Sequence, residues 1–545
     1  MRKYVGTFII IAALLLPLSF SVGAQDGPEV IEAQAFGGIN AVLMEAEDLA
    51  EPPPLTEEQL ANLAWAEENT PGALPVIDGE QAEPAGPEPG TESAEADARI
   101  EPGAPLAPGT ATIYKFKRFG SSLPGGQSNV MEVSVDVKGK KQWATGNWFA
   151  ARSLDKGGNF TYFSPWTGMA DFCCDQVIRH DMARDIWLWM RMGIPDGAGN
   201  NRFALSVDYQ APFTGGYWTY YITPTAINAN WGGTWWDYPA MALTADHLWI
   251  SWNMFDSGGN YVRSVVLKVP LDALAAAGPF GGWYWDTNAW ATFKFVDGAD
   301  HTMYFASNWP NSLPQNSRLG IWRWRDQDTT LSMWTKTITA WSFTGGGDAV
   351  CGAPNWADRY DQRVLAGARY NIDTTDLQNP GRNVLGWWWN VKQGGAFARP
   401  YIEGAAFYED TMTQVAGTDG RPYAWSPDLC FAYPDVATNA REDLAMVFNY
   451  ADSSGYHKPK SAYSLADDYI ASPPGWMFYG IGASQAGPSD QKWGDYNTVR
   501  AAHGPAIAWT AGVHVIPTTS NCSNCSEPIV VSFGRERDKK SWQQW

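Results

Sequence analysis

Three aspartates recur at one place in a repeated pattern. Clustered carboxylates can hold a hard cation such as Ca²⁺ through oxygen ligands, or act as acid and base across a bond being cleaved. Asp175 stands twelve residues before Trp187, and Asp237 stands twelve before Trp249. Each opens a short apolar segment that passes a polar corner and returns through a Trp-rich one. Asp495, in Trp493-Gly-Asp-Tyr496, precedes Ile507-Ala-Trp509 in a looser copy. Ala432-Tyr-Pro434 before Leu444–Phe448 is a fourth. If the repeats close into a ring, Asp175, Asp237 and Asp495 converge near one mouth. They are then the candidate Ca²⁺ ligands, and no other cofactor is implied. The competing reading is that each aspartate caps a turn. Repetition favours that reading, because catalytic residues rarely recur in every repeat.

Two arginines share a spacing. Arg263 follows Asn253 by ten residues, and Arg318 follows Asn308 by ten. Equal spacing sets them at similar heights, where they can converge on an anion or each tie its own hairpin loop. Tryptophan is the strongest compositional signal, at 30 of 545 residues. Trp187, Trp249 and Trp509 read as core. Trp231, Trp235 and Trp236 fall in turns, where exposed rings can stack on sugar faces. With Asp237, Arg263 and Arg318 they form the candidate ligand-binding set. The six histidines lack metal-ligand spacing. His180 and His247 sit at strand corners, where a polar surface residue is the default. No nucleophile elbow or phosphate loop is present. The catalytic residues, if any, stay unknown at this point.

The elements that must position these residues are strands. Repeats of roughly 40 to 60 residues built of short strands predict an all-β fold, a β-propeller, with seven blades preferred over six. The expected blades are 130–163, 172–222, 236–295, 300–342, 360–412, 425–480 and 493–534. The last is completed by 112–118, because pairing the chain ends hides open edges.

Ahead of this body, 111–545, stand two segments of other character. Residues 1–24 read as a secretory signal peptide: Arg2 and Lys3, an apolar run, then Val22-Gly-Ala24. That run is too short for a comfortable membrane span. Residues 25–110 form an acidic arm rich in Pro, Ala and Glu that carries about −18 of the formal net charge of −20. Such a segment is expected to be mostly disordered, with one short helix at the capping box Thr56-Glu-Glu-Gln59. An acidic arm on a near-neutral body excludes nucleic acid as partner. An exported chain admits disulfides. Cys522 with Cys525, and Cys351 with Cys430, are the expected pairs. Cys173-Cys174 is either a vicinal bond or two thiols.

Ser153-Leu-Asp155-Lys-Gly157-Gly-Asn-Phe160 resembles the Asp-box turn of sialidase-like β-propellers. Asp256-Ser-Gly258-Gly-Asn-Tyr261 repeats its second half, and Ser206-Val-Asp208 is a degenerate copy. The chain is also similar to secreted bacterial propellers of unassigned activity with Asp-Tyr-Pro and Trp-Gly-Asp-Tyr repeats. The resemblance implies architecture rather than chemistry. The first arginine of the sialidase triad has no counterpart motif near the start of the body. The leading expectation is therefore a secreted propeller, extracellular or periplasmic, that binds glycan or protein without catalysis and has no membrane span. The alternatives are a carbohydrate-active enzyme, sialidase-like glycoside hydrolase or polysaccharide lyase, and a structural part of a cell-surface assembly. What discriminates them is whether ionisable groups with shifted proton affinity meet at the central mouth.

Overall fold

The computed structural model describes residues 27–45, a few of the residues from 56 to 61, 110–119, and 131–544 apart from short stretches, the longest being 342–350, 372–381 and 518–525. The signal-peptide expectation and the Cys522–Cys525 expectation fall outside the described residues.

Seven antiparallel sheets follow one another along the chain. Blade 1 is Ser134–Lys138, Lys141–Thr145, Ala150–Ser153 and Thr161–Phe163. Blade 2 is Phe172–Asp181, Ile186–Gly193, Phe203–Tyr209 and Gly216–Ile222. Blade 3 is Thr234–Leu243, His247–Asp256, Tyr261–Pro270 and Phe280–Thr287. Blade 4 is Lys294–Phe295, Thr302–Ser307, Arg318–Arg325 and Thr330–Thr337. Blade 5 is Val364–Asn371, Asn383–Val391, Tyr401–Tyr408 and Tyr423–Ala424. Blade 6 is Cys430–Thr438, Leu444–Ala451, Lys460–Leu465 and Tyr479–Ala483. Blade 7 is Thr498–Ala501, Trp509–Val515 and Glu527–Arg535, completed by Ala111–Arg118 from the other end of the body. The first strand of each blade touches the first strand of the next, and that of blade 7 touches that of blade 1. The ring is closed, as a seven-bladed propeller.

Tryptophan fills the wedges between blades. Trp249 of blade 3 meets Trp324 of blade 4 edge-on at 5.2 Å. Trp509 of blade 7 donates its indole N–H to the Ala437 carbonyl of blade 6 at 3.0 Å. Trp187 is fully buried.

The acidic arm differs from expectation at its start. Glu29–Glu32, Gln34–Ile39 and Ala41–Glu45 are strands, laid in turn on the outer edges of blades 4, 3 and 2. This strap carries little of the arm's charge and has the apolar residues Ile31, Phe36 and Ile39 to pack inward. It pairs edge groups that would otherwise stay open. Its contact is close: a Cβ on Gly281 would lie 2.5 Å from the Phe36 carbonyl oxygen, so glycine is needed there. Farther along the arm, Glu57 and Ala61 are helical, at the place where the capping box predicts a helix.

The Asp-box turn forms between the third and fourth strands of blade 1. Gly157 N–H donates to Ser153 Oγ at 2.9 Å, and Asn159 N–H to Asp155 Oδ1 at 2.8 Å. Asp208 occupies the same hairpin of blade 2 and accepts the backbone N–H of Tyr209 and Phe213. Asp256 makes a similar turn, accepting from Gly258 and Asn260 N–H at 2.8 and 2.9 Å. That turn joins the second and third strands of blade 3, so it lies at the opposite end of the sheet and is not an equivalent copy.

Candidate active site at the axial mouth

The first strands of the blades line the axis, and several begin with an irregularity. In blade 3 the pairing with the second strand jumps from Asp237 to Ala240, leaving Tyr238 and Pro239 bulged. In blade 6 it jumps from Ala432 to Asp435, leaving Tyr433 and Pro434 bulged. Proline has no N–H to give a ladder, so a bulge is where a sheet tolerates it. Tyr238 and Tyr433 take matching left-handed backbone, φ 56° and 58°. The repeated Asp/Ala-Tyr-Pro is thus a bulge that re-aims side chains at the mouth. The asparagines that follow it in the repeat brace the second strands: Asn253 Nδ2 donates to Thr292 Oγ1 at 2.8 Å, and Asn449 Nδ2 to Ser461 Oγ at 2.9 Å.

Four carboxyl groups meet there. Asp175 and Asp237 come from the first strands of blades 2 and 3, Glu132 from just before blade 1, and Asp495 from just before blade 7. Four successive blades therefore contribute. Asp495 N–H donates to Glu132 Oε1 at 3.1 Å. Glu132 and Asp175 are buried, while Asp237 and Asp495 are partly open to the mouth. Burial, then the Asp495 charge, pushes the Glu132 carboxyl up to about 7. Burial, then the Glu132, Asp237 and Asp495 charges, holds Asp175 well above the usual carboxylate range. The adjoining Glu132 carboxyl acts in the same direction, so the two form a coupled pair that favours proton binding. Burial and Asp495 raise Asp237 to about 6, against its own hydrogen bond to Tyr238 N–H. Lys492 stands among the four, and the Asp495 carboxylate above all keeps it charged. Arg363 lies over the Tyr238 ring at 4.1 Å, and Tyr238 meets Tyr496 edge-on.

Below the carboxyl groups the axis turns basic. A cavity of about 40 Å³, room for a water or so, is lined by Arg179, Lys294, Arg500, Tyr238 and Tyr496 among others. Arg179 pairs with Asp297 at 3.2 Å, Arg500 with Asp435 at 3.2 Å and Lys294 with Asp435 at 3.3 Å. These pairs plug the channel. At its far end a second cavity of about 310 Å³ holds Asp136, His180, Asp297 and Glu442.

The mouth thus gathers Asp175, Asp237 and Asp495, whose repeat marked them, with Glu132 and Lys492, which the sequence reading missed. Neither of those belongs to a repeat. Proximity to repeat-bearing segments was the one signal: Lys492 is the residue before Trp493-Gly-Asp-Tyr. The tryptophans named with Asp237 are elsewhere. Trp231, Trp235 and Trp236 are buried, not displayed. Trp236 stacks on Trp252 at 4.3 Å, Trp231 meets Tyr284 at 5.2 Å, and Trp235 donates to the Asp256 carbonyl at 2.8 Å. The cause is that Trp235 and Trp236 lie inside a strand rather than in the turn expected for them, where large rings fill the sheet faces. Arg263 pairs with Asp286, and Arg318 bonds Thr337 Oγ1, each within its own blade. Each is thus a local cross-strand contact: neither arginine ties its own hairpin loop and neither reaches the mouth.

The histidines at the corners are buried rather than exposed. His180 contacts Asp185 at 3.1 Å, and His247 contacts Asp326 at 3.0 Å, each strand corner being covered by its neighbours. Among the described residues, one group of three has metal-ligating atoms all within 4.8 Å of one another: Asp246, His301 and Asp326. Asp246 and His301 are exposed, and Asp326 is engaged by His247 and Thr244. The mouth carboxylates are not drawn together to that degree. Among the described residues two disulfides are formed, the vicinal Cys173–Cys174 and Cys351–Cys430. No helix among the described residues is long and apolar enough to cross a membrane.

No family model and no curated protein matches the chain. Solved structures match at the level of fold. One is an α-L-arabinofuranosidase from Fusarium graminearum, with 9% identity over 62% of this chain and 93% of that one, TM-score 0.36. Another is an α-L-arabinanase from Penicillium chrysogenum, with 9% identity over 79% of this chain and 98% of that one, TM-score 0.35. A third is a sialidase from Trypanosoma rangeli, with 10% identity over 72% of this chain and 59% of that one, TM-score 0.34. Likeness of this degree assigns no residue and no reaction.

Proposed function

We propose that the axial mouth is the active site of a carbohydrate-active enzyme that hydrolyses glycosidic bonds by acid–base catalysis. One observation carries the reading: four carboxyl groups converge at the mouth, and burial and mutual charge raise the proton affinities of three of them, Glu132, Asp175 and Asp237. Groups shifted in this way divide into acid and base. Asp175, which burial and the neighbouring carboxylates hold well above the usual carboxylate range, is the general acid toward the leaving oxygen, in partnership with Glu132. Asp237 is ionised at pH 7 and open to the mouth, so it serves as the base toward water. Asp495 keeps Lys492 charged, and the Asp495 carboxylate opposes ionisation of the acid pair. A glycosidic bond is the substrate class because its cleavage needs a protonated and an ionised carboxyl on opposite sides of one bond.

The non-catalytic binding reading loses its main support, since the tryptophans it relied on are buried. A Ca²⁺ site at Asp175, Asp237 and Asp495 is the second reading. It is favoured by four carboxyl groups facing one lysine and disfavoured by the burial that raises the proton affinity of Asp175. Cys351–Cys430 fits an oxidising compartment, so we place the enzyme outside the cytoplasm.

The test is release of reducing ends from a panel of polysaccharides and aryl glycosides, in buffer with and without Ca²⁺. Turnover should occur without added Ca²⁺ and fall by about 10²- to 10⁴-fold in Asp175→Asn, as expected for loss of a general acid. Turnover on no member, with Ca²⁺ bound at one equivalent and lost in Asp237→Asn, would replace the hydrolase reading by the cation site.

A further inference from the structure

The vicinal disulfide lies against the proposed acid. Along the first strand of blade 2, Phe172 pairs with Gly193, Cys174 with Met192, and Gln176 with Arg191. The inner strand uses two residues for each one on its partner. Cys173 and Asp175 are therefore both extra residues, in two successive bulges, with Cys174 between them. Asp175 has φ 31°, left-handed backbone that a residue with a Cβ rarely adopts. Something must hold it there.

Both sides of Asp175 are held. Downstream, Gln176 is anchored to blade 1: its Nε2 donates to the Gly146 and Phe149 carbonyls at 2.5 and 3.0 Å, and its Oε1 accepts from Trp189 Nε1 at 2.9 Å. Upstream, Cys173 and Cys174 are buried in the same apolar cluster as Trp148, Trp166 and Phe172 and offer no comparable side-chain hydrogen bonds. Their own bond supplies the constraint. A disulfide between adjacent residues closes a small ring across one peptide and removes most of the backbone freedom of the pair. The other disulfide, Cys351–Cys430, spans 79 residues and ties a loop to blade 6, a different task.

We propose that the Cys173–Cys174 bond is a positioning device for the mouth: it locks the double bulge that turns the Asp175 carboxyl onto Glu132. The proposal rests on reading the mouth as the working site. The charged and titratable groups that face Asp175 are Glu132, Asp237, Asp495, Lys492 and Tyr496. If the ring is opened, Asp175 can leave this company and ionise like an ordinary carboxylate.

The experiment uses the full chain with Cys173→Ser/Cys174→Ser, and Cys351→Ser/Cys430→Ser as a control. The readout is the carboxyl infrared band followed against pH without substrate, with Asp175→Asn identifying the Asp175 component. That readout needs no turnover, so it stands whether or not the chain hydrolyses glycans. The expected result is that the midpoint of the high-pH component assigned to Asp175 falls, with a more than tenfold loss of proton affinity, in the 173/174 variant and stays in place in the control. Where a substrate has been found, kcat falls more than tenfold with KM little changed. If the serine pair does not fold, Cys173→Ala/Cys174→Val, suited to the apolar cluster, is read in the same way. A lowered melting temperature with the Asp175 component unmoved would overturn the proposal and leave the bond a plain staple.

Discussion

Glu132 and Asp175 are carboxyl groups whose proton affinity burial raises, and this has a consequence for stability. A carboxyl raised above its unfolded value stabilises the fold below that value, and the contribution is lost as pH rises through the folded value. For Glu132 the window runs from the ordinary glutamate value of 4.5 to about 7. Wild-type stability should therefore fall across pH 5 to 8. Glu132→Gln should flatten that fall by up to about 3 kcal/mol, measured by urea unfolding across the range, since each tenfold change in proton affinity corresponds to about 1.4 kcal/mol. An unchanged slope would mean that the mouth is more hydrated than its burial implies. Trp236 makes the opposite kind of prediction. It is a stacked core ring, so Trp236→Ala should lower stability by about 3–5 kcal/mol. If instead it left stability intact and removed glycan binding, Trp236 would belong to a display surface. The sequence showed which residue types were abundant but not which way each pointed. Trp235 and Trp236 follow Gly232-Gly233 and look like a turn, yet they are already in the strand. The aspartates were legible because a repeat in a closed ring converges whatever each member does. Glu132 and Lys492 were not, since a residue outside the repeat has no spacing to betray it.

At the scale of elements, the Tyr-Pro bulge and the strap show what short patterns carry. Asp-Tyr-Pro was legible as a repeat but not as a bulge, because that needs the partner strand's register. The Asp256 turn looks like a second Asp-box because the local hydrogen bonds are alike, while only the hairpin in which it sits tells them apart. The strap was hidden by averaging. An arm carrying about −18 reads as solvated, but its first strands hold a few apolar residues, Ile31, Phe36 and Ile39, that pack inward as the strands find open edges. Those strands cover blades 2, 3 and 4. Deleting residues 27–45 should leave the ring closed and expose three edges. The expected outcome is a protein with native-like near-ultraviolet circular dichroism that self-associates on concentration, read by light scattering. A monodisperse deletion variant would show that the edges need no cover.

The whole molecule places its chemistry where symmetry leaves a gap. Seven blades meet at an axis too wide to fill with backbone alone. The ring answers with a plug, Arg179, Lys294 and Arg500 against Asp297 and Asp435, and above it with the four carboxyl groups. Blade number and closure by Ala111–Arg118 were legible, because each follows from repeat length and from the need to bury edges; the boundaries were less so, since Lys294–Phe295, expected to end the third blade, opens the fourth, and Tyr423–Ala424 completes the fifth beyond its expected end. The pairing of Cys351 with Cys430 followed from export and loop placement. The order of acid and base along the axis was not legible, since it depends on burial. The central claim is that the carboxyl groups of the mouth divide the work of proton transfer, and its most direct test is the pH dependence of kcat on whichever glycoside proves a substrate. The profile should be bell-shaped, rising near pH 6 as Asp237 ionises and falling at higher pH as the Glu132–Asp175 pair loses its protons. In Glu132→Gln the alkaline limb should move. A flat profile, or limbs that stay in place in that variant, would contradict the claim.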